Sequence, residues 1–338
     1  MAEHRLPPSD LSHTRFATSP LWETVASLRV LQAPAGGVHG GWAEAMRTRV
    51  REHGLDLSRL LALVPPRGQL ADFLTPTPTG RHGRLEDELE VLRRSEPRLV
   101  VEDAQLLLRS AGQGSQGVLR AAAADPGAFR EQVADDLHAY WELTVSRVWS
   151  RLEGLAEADI AWRLERMARG GTHAVLETLH PRVRMDGDTL VVANTCETPV
   201  SRLPGEVTGV VLVPCAFAWP DLLFVEFTGQ ARTLSYSPRG VGNLWRETPD
   251  ARGSALADLV GRTRAAAVML LDLPMTTGQL ACHLDLTPPT ASGHLKILER
   301  SGLVTARRRG RHVLYSRTPL GADLAEGAGA AVQGSTTA

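Results

Sequence analysis

Residues 276–317 read TTGQLACHLDLTPPTASGHLKILERSGLVTARRRGRHVLYSR. The caps and apolar spacings in this stretch specify two short helices, a tight turn and a β-hairpin. Thr276 is placed to cap the first helix, and Gln279 three residues on completes a capping box. Leu280 and Leu284 share one face of that helix, which ends at Asp285-Leu286-Thr287. Thr287 is the next N-cap, with Pro288 at the first helical position, where a missing N–H costs nothing. Ala291, Leu295 and Leu298 fall at i, i+4 and i+7, a single apolar stripe. Gly302 suits the left-handed position that stops the helix. Leu303 to Ala306 and His312 to Tyr315 then read as two strands joined by an arginine-rich turn.

Charge is concentrated in the same place. Residues 287–317 carry seven Lys or Arg against the one acid Glu299, in a chain whose formal net charge is −1. Lysine occurs once, against 36 arginines, so arginine richness by itself says little; only its clustering does. A basic helix-turn-helix followed by a basic hairpin is what a duplex phosphate backbone calls for.

The run TPPTASGHLKILERSGLV followed by RRRGRHVLY resembles the ArsR/SmtB-type winged helix-turn-helix regulators, and GRTRAAAVMLLDLPMTTGQLA is similar to that family's entry into the motif. The resemblance covers residues 255–319, about a fifth of the chain. It implies a regulator that binds double-stranded operator DNA as a homodimer, more commonly a repressor. Further upstream, TRFATSPLWETVASLRVL, LLALVPPRG, DFLTPTPT, LVPCAFAWP and LSYSPRGVGNLW resemble a domain of unknown function joined to such modules in actinobacterial regulators. That resemblance spans most of residues 1–245 and implies a sensor or dimerisation part without assigning a ligand.

A chain of 338 residues, 43% hydrophobic and 22% charged, is long enough for two domains with a sizeable core. Its opening, MAEHRLPPSDLSHTRF, lacks the apolar run of a secretory leader, and no segment reaches membrane-spanning length. A cytoplasmic protein with no membrane partner is expected. Cys196, Cys215 and Cys282 are odd in number and widely spaced, which argues against a disulfide framework.

From Ser19-Pro20 to Gly171 the pattern is helical, with a Gly/Ser/Gln break expected at 112–117. Asp125-Pro126 opens the longest helix, with a kink expected at Gly154 and a stop at Gly170-Gly171. Its tryptophans (Trp141, Trp149, Trp162) suit a dimer spine or, more commonly for such a stripe, ordinary core. Beyond Thr172 the character changes. Residues 182–192 read as a hairpin about Asp186-Gly187, and further strands at 209–215, 222–227 and 232–236 suggest a small, mostly antiparallel sheet. The expected fold is therefore α+β. A helical part (1–171) and a β subdomain (172–246) precede a winged helix-turn-helix (254–320) and a disordered tail (321–338).

A helix-turn-helix presents its second helix to the major groove. With Ala291, Leu295 and Leu298 inward, Pro289, Gly293, Lys296 and Arg300 face out, flanked by Thr287, Thr290 and Ser292. The family often has a longer polar or basic residue where Gly293 stands, so close backbone approach replaces side-chain readout at the helix centre. Bases are then left to Thr290, Ser292 and His294, although His294 lies near the buried edge and suits a structural role equally. Lys296, Arg300, Arg307, Arg308, Arg309, Arg311 and the adjoining His312 are expected on phosphates or in the minor groove, where contacts fix register rather than sequence.

Metal-sensing relatives carry a Cys-x-Cys on the first helix, where QLACHLDL leaves only Cys282 and His283. Adjacent helical residues point about 100° apart, and two ligands do not close a site. The family's other site, after the wing, uses histidine, which residues 320–338 lack. No cofactor or metal is expected, and metal or thiol sensing stays an alternative. Catalysis is not expected either, since no G-x-S-x-G elbow, Walker loop, dinucleotide fingerprint or H-E-x-x-H occurs. The N-terminal part is then read in one of two ways. It takes a small-molecule effector in an apolar pocket lined by residues such as Trp22, Trp141 or Trp219, or it offers a flat patch to a partner protein.

Overall fold

The computed structural model describes residues 2–34, 37–180, 182–192, 209–219, 221–226, 231–245, 251–271, 274–309 and 312–327. In chain order these form β1 (Ala2–Arg5), α1 (Pro8–Ser12), β2 (Arg15–Phe16), α2 (Pro20–Gln32), α3 (Gly40–Glu52), α4 (Ser58–Leu63), α5 (Leu85–Arg93) and α6 (Pro97–Leu108). Next come α7 (Gln113–Ala124), α8 (Pro126–Leu143), α9 (Trp149–Leu176), β3 (Val183–Asp186), β4 (Thr189–Val192), β5 (Val210–Pro214), β6 (Leu223–Val225) and β7 (Arg232–Tyr236). The last elements are α10 (Ala251–Val260), α11 (Arg262–Leu270), α12 (Thr277–Leu284), α13 (Pro288–Arg300), β8 (Val304–Arg309), β9 (His312–Arg317) and α14 (Pro319–Gly327). The architecture is α+β, as the sequence suggests.

Local chemistry sets several helix starts. The Ser19 hydroxyl accepts the Trp22 N–H at 3.1 Å and opens α2, while Asp125 accepts the Ala128 N–H at 3.0 Å and opens α8. Every residue of α2 from Pro20 to Leu28 is buried, so this helix is surrounded rather than amphipathic.

Three helical expectations change. Residues 113–124 form α7 instead of a break, because Leu119 and Ala122 are buried and the helix packs along α6. The chain bends at Thr144, where a hydroxyl donating to the Tyr140 carbonyl (2.6 Å) satisfies the broken ladder, and α9 runs straight through Gly154. An exposed helical glycine costs about 1 kcal/mol but does not by itself bend a helix. The real interruption is Gly171, at φ 69°, after which the helix resumes to Leu176. A fourth change concerns the tail, which begins with α14; Thr318 accepts the Gly321 N–H at 3.1 Å and opens that helix.

The β region draws on the N-terminus as well as on residues after 172. One sheet, order β1-β4-β3, is antiparallel and contains the expected hairpin, with Gly187 at φ 61°. The other has order β2-β5-β7-β6; β6 is antiparallel to β7, whereas β2, β5 and β7 run parallel. β1 and β2 thus belong to the sheets, although they lie in the stretch expected to be helical. Leu234 and Tyr236 on β7 pack with Ile160 and Val175 of α9 on one side. Trp22 of α2 packs with Val211 and Val213 on the other.

The largest core runs without interruption from α2 through α8 into the C-terminal module, taking in Val241, Leu244, Leu256, Leu270, Leu284 and Leu298. The winged module is therefore packed against the rest. Gly242 marks the closest approach: a Cβ there would lie 2.8 Å from Leu270 Cδ1 and 3.0 Å from Leu284 Cδ2.

Candidate nucleic-acid interface

The C-terminal module forms as its caps dictate. Gln279 N–H donates to the Thr276 hydroxyl at 3.2 Å, and Thr276 N–H donates to the Gln279 side chain at 2.9 Å, completing the capping box of α12. Asp285 takes the left-handed conformation (φ 54°) that ends α12. Thr287 caps α13 behind Pro288, and its hydroxyl lies 2.8 Å from that of Thr290. Ala291, Leu295 and Leu298 are buried. Gly302, at φ 71°, lets the chain turn into β8, with Leu303 N–H bonded to the Leu298 carbonyl at 3.0 Å. The hairpin pairs Val304 with Arg317 through to Arg309 with His312. Met275 adds a short bridge to Tyr315, which ties the wing to the start of α12.

On α13, Thr287, Pro289, Thr290, Gly293, Lys296 and Arg300 are exposed together, as their spacing implies. Ser292 and His294 are half-buried, and His294 Nδ1 is shielded without a hydrogen-bond partner. The geometry favours the structural side of the dual reading of His294. A Cβ on Gly293 would meet nothing within 4 Å, so the helix centre is open on its outer face. The same face contains Ile297, 37% exposed, which the sequence reading passes over. Its helical angle, about 40° from that of Gly293, was signal enough, but an apolar residue is habitually assigned to the core. Arg307 and Arg308 are exposed on β8. Arg309 and His312 pair across the wing, and Arg311 lies outside the described residues, as does Cys196.

The other face of α12 docks on the N-terminal part. His283 is buried edge-on to Trp219, with ring centroids 4.9 Å apart, and is hydrogen-bonded to the Pro238 backbone. Burial, with the nearby Arg163 charge, pushes this imidazole down to about 4. Beneath it Asp159 of α9 accepts from Arg163 Nε (2.7 Å), the Tyr236 hydroxyl (2.7 Å) and the Arg239 N–H (3.0 Å). The Arg239 guanidinium lies over the Trp162 ring at 4.1 Å and reaches Asp285 Oδ1 at 2.5 Å. It spans the two parts of the molecule. Nothing local in the sequence announces this seam, because its members come from residues 159–163, 219, 236–239 and 282–285.

Cys282 lies in the same seam, and burial pushes its thiol up to about 11. Cys215 is raised well above the usual thiol range, first by burial and then by Glu23. A nucleophilic or metal-binding sulfur needs the opposite shift. Among the described residues, no three His, Cys, Asp or Glu side chains come together as a metal site.

Residues 268–306 match the family model described as bacterial regulatory protein, arsR family, and residues 98–240 match a family of unknown function, DUF5937. The HTH-type transcriptional repressor SmtB of Mycobacterium tuberculosis is 41% identical over 71 residues, 21% of this chain and 53% of its own length. The HTH-type transcriptional regulator Rv2034 of the same organism is 38% identical over 74 residues, 22% of this chain and 67% of its own length. The chain thus spans about half the length of the SmtB relative and two thirds of the other. No solved structure matches it. Capped helices, turn and wing, the family model and the relatives agree: the chain belongs to the ArsR family of bacterial regulatory proteins.

Proposed function

We propose that this chain is a DNA-binding transcriptional regulator, most simply a repressor, whose α13 and wing engage an operator and whose N-terminal part adjusts that engagement. The observation that carries the reading is the outward face of α13, with Lys296 and Arg300 exposed beside Thr290 and Gly293, next to the exposed arginines of β8. Phosphate contacts from these cations supply salt-dependent affinity, and the face of the helix supplies sequence. The printed name of SmtB, a repressor, favours the same sign of regulation here.

A homodimer follows from the geometry of two-fold operators, since one module covers a half-site. Two exposed leucines flank the module, Leu259 on α10 (70% exposed) and Leu320 on α14 (52%), and provide apolar surface for a second copy. Replacing both with glutamate is expected to yield monomers by sedimentation and to weaken binding to a palindromic site.

Between a small-molecule effector and a partner protein, burial weighs only against these tryptophans forming a docking patch. Trp22, Trp141 and Trp219 are all in the core, and none contributes to a flat exposed patch. The test of the DNA reading is titration of the purified chain with its own upstream DNA, across a salt series, beside a variant with Arg307, Arg308, Arg309 and Arg311 changed to Ala. Specific binding with a steep salt slope, flattened by about 0.9 per lost phosphate contact, is the expected result. Equal affinity for random DNA in both proteins would sink it.

A further inference from the structure

Glu23, in the first turn of α2, is buried, and three donors converge on it. Its Oε1 accepts the Ala216 N–H at 2.6 Å; its Oε2 accepts the Phe217 N–H at 3.0 Å and the Cys215 thiol at 3.2 Å. Such a set favours the charged form, because all three donors stabilise negative charge on the carboxylate. Yet no Arg, Lys or His among the described residues supplies a counter-charge, and burial pushes the group up to about 7. Two other buried acids differ: Asp159 has Arg163 and Asp10 has Arg232. Glu88 also has no cation among the described residues, but it accepts from the Leu21 N–H and the Ser19 hydroxyl at the start of α2.

What distinguishes Glu23 is the aromatic cluster to which its backbone donor Phe217 belongs. The Phe217 ring, on the residue whose N–H binds the carboxylate, lies 4.3 Å from Trp42, 5.0 Å from His39 and 6.2 Å from Trp245. His39 is no counter-ion: one ring nitrogen accepts from Trp245 Nε1 at 3.0 Å, the other bonds the Ala216 carbonyl at 2.9 Å, and burial pushes it down to about 4. Trp42 Nε1 is buried without a partner. An uncompensated carboxylate beside electron-rich ring faces is the chemistry that recognises an organic cation.

We infer that Glu23, Trp42, Phe217 and Trp245 form a binding site for a hydrophobic organic cation, such as a quaternary ammonium or an aromatic amine, with Glu23 as counter-charge. The rings are in contact with one another, so the ligand enters by parting them. Trp245 is the half-buried member, and opening the cluster there means breaking its hydrogen bond to His39. It precedes α10 by six residues, and α3, which carries Trp42, packs on α10. Entry of a cation would therefore act on the packing of α3 against α10, at a seam between two parts of the chain, where ligand sites commonly lie. Only this consequence rests on the regulator reading; the site itself does not.

The test is calorimetry and tryptophan fluorescence on the full chain with phenyltrimethylammonium and with tert-butylbenzene, its neutral isostere. Saturable binding of the cation, with the isostere at least about tenfold weaker, is expected. Glu23→Gln should abolish that preference while leaving the isostere's affinity unchanged. If that variant melts early, Trp245→Leu, at a half-buried position, should weaken the cation by a comparable factor. Equal binding of the two probes, no binding of the cation, or a Glu23→Gln variant that folds and keeps the preference would each overturn the site. Because binding is read without DNA, a chain that ignores its operator would overturn the regulator reading and leave this site standing.

Discussion

Arginine does opposite work in the two halves of this molecule. On β8, Arg307 and Arg308 extend from an exposed strand, and their charge is directed outward. In α9, Arg163 is as buried as any leucine of the core, its Nε fixed to Asp159 at 2.7 Å and its guanidinium 4.5 Å from the centre of the Tyr236 ring. Burial is the largest influence and opposes its charge, yet Asp159, Tyr236 and Cys282 together outweigh it and raise the pKa above the ordinary value. An exposed cation can be lost at little cost to the fold, whereas a buried one is held in place by everything around it. Composition cannot tell the two apart; their surroundings do.

The largest effect should come from breaking the buried pair. Asp159→Ala would strand Arg163, the Tyr236 hydroxyl and the Arg239 N–H together, and a loss of about 3–5 kcal/mol is expected in urea denaturation. Arg307→Ala on the wing, by contrast, should unfold within about 0.5 kcal/mol of the parent, as exposed substitutions do. A wing variant that lost several kcal/mol would show that these arginines are also structural, and the contrast between the halves would fail. A finer probe is Arg239→Ala, which cuts the link to Asp285 across the seam. As a partly exposed pair it should cost at most about 1 kcal/mol globally. Amide exchange in α12 should nevertheless quicken while that in α8 stays unchanged.

The same contrast explains what could be read from the chain in advance. Thr276, Gln279, Thr287, Pro288 and Gly302 act on neighbours within four residues, so α12, α13 and the wing were legible down to their caps. The parallel pairing of Arg15-Phe16 with Val211-Leu212 joins segments almost two hundred residues apart and leaves no local trace. The seam was invisible for the same reason. Arg239 and Trp219 resemble any loop residues until Asp285 and His283 are brought against them. Within the module, Ile297 was passed over through a habit about apolar residues rather than through distance.

Buried titratable groups sharpen the comparison in a pH titration. Glu23 and Glu88 are raised by burial from 4.5 to about 7. Between those values the folded chain holds protons that the unfolded chain has released, and stability falls as pH rises. His39 and His283 are lowered by burial from 6.5 to about 4. Across that interval the unfolded chain holds the extra protons, and stability falls as pH drops. Two groups of each kind oppose one another from about pH 4.5 to 6.5, so their joint contribution should be nearly flat. Glu88→Gln removes one of the falling terms and keeps an acceptor for the Leu21 N–H. Stability should then rise by about 1.4 kcal/mol per pH unit through this window relative to the parent. An unchanged profile would mean that Glu88 is ionised in the fold like a surface carboxylate.

The smallest effect separates fold from function most cleanly. Gly154 in α9 and Gly293 in α13 are both exposed helical glycines, and a Cβ on either would meet nothing within 4 Å. Changing each to alanine removes the entropy that glycine spends in a helix, so both variants should gain about 0.5–1 kcal/mol in thermal unfolding. Their DNA affinities should part. Gly154 is far along the chain from the wing and its substitution should leave operator binding unchanged. At Gly293 the added methyl would stand where the backbone of α13 is proposed to approach the bases, and binding should weaken even as the protein becomes more stable. Stabilisation with unchanged affinity at both positions would place the centre of α13 away from the DNA and assign readout to its ends and the wing.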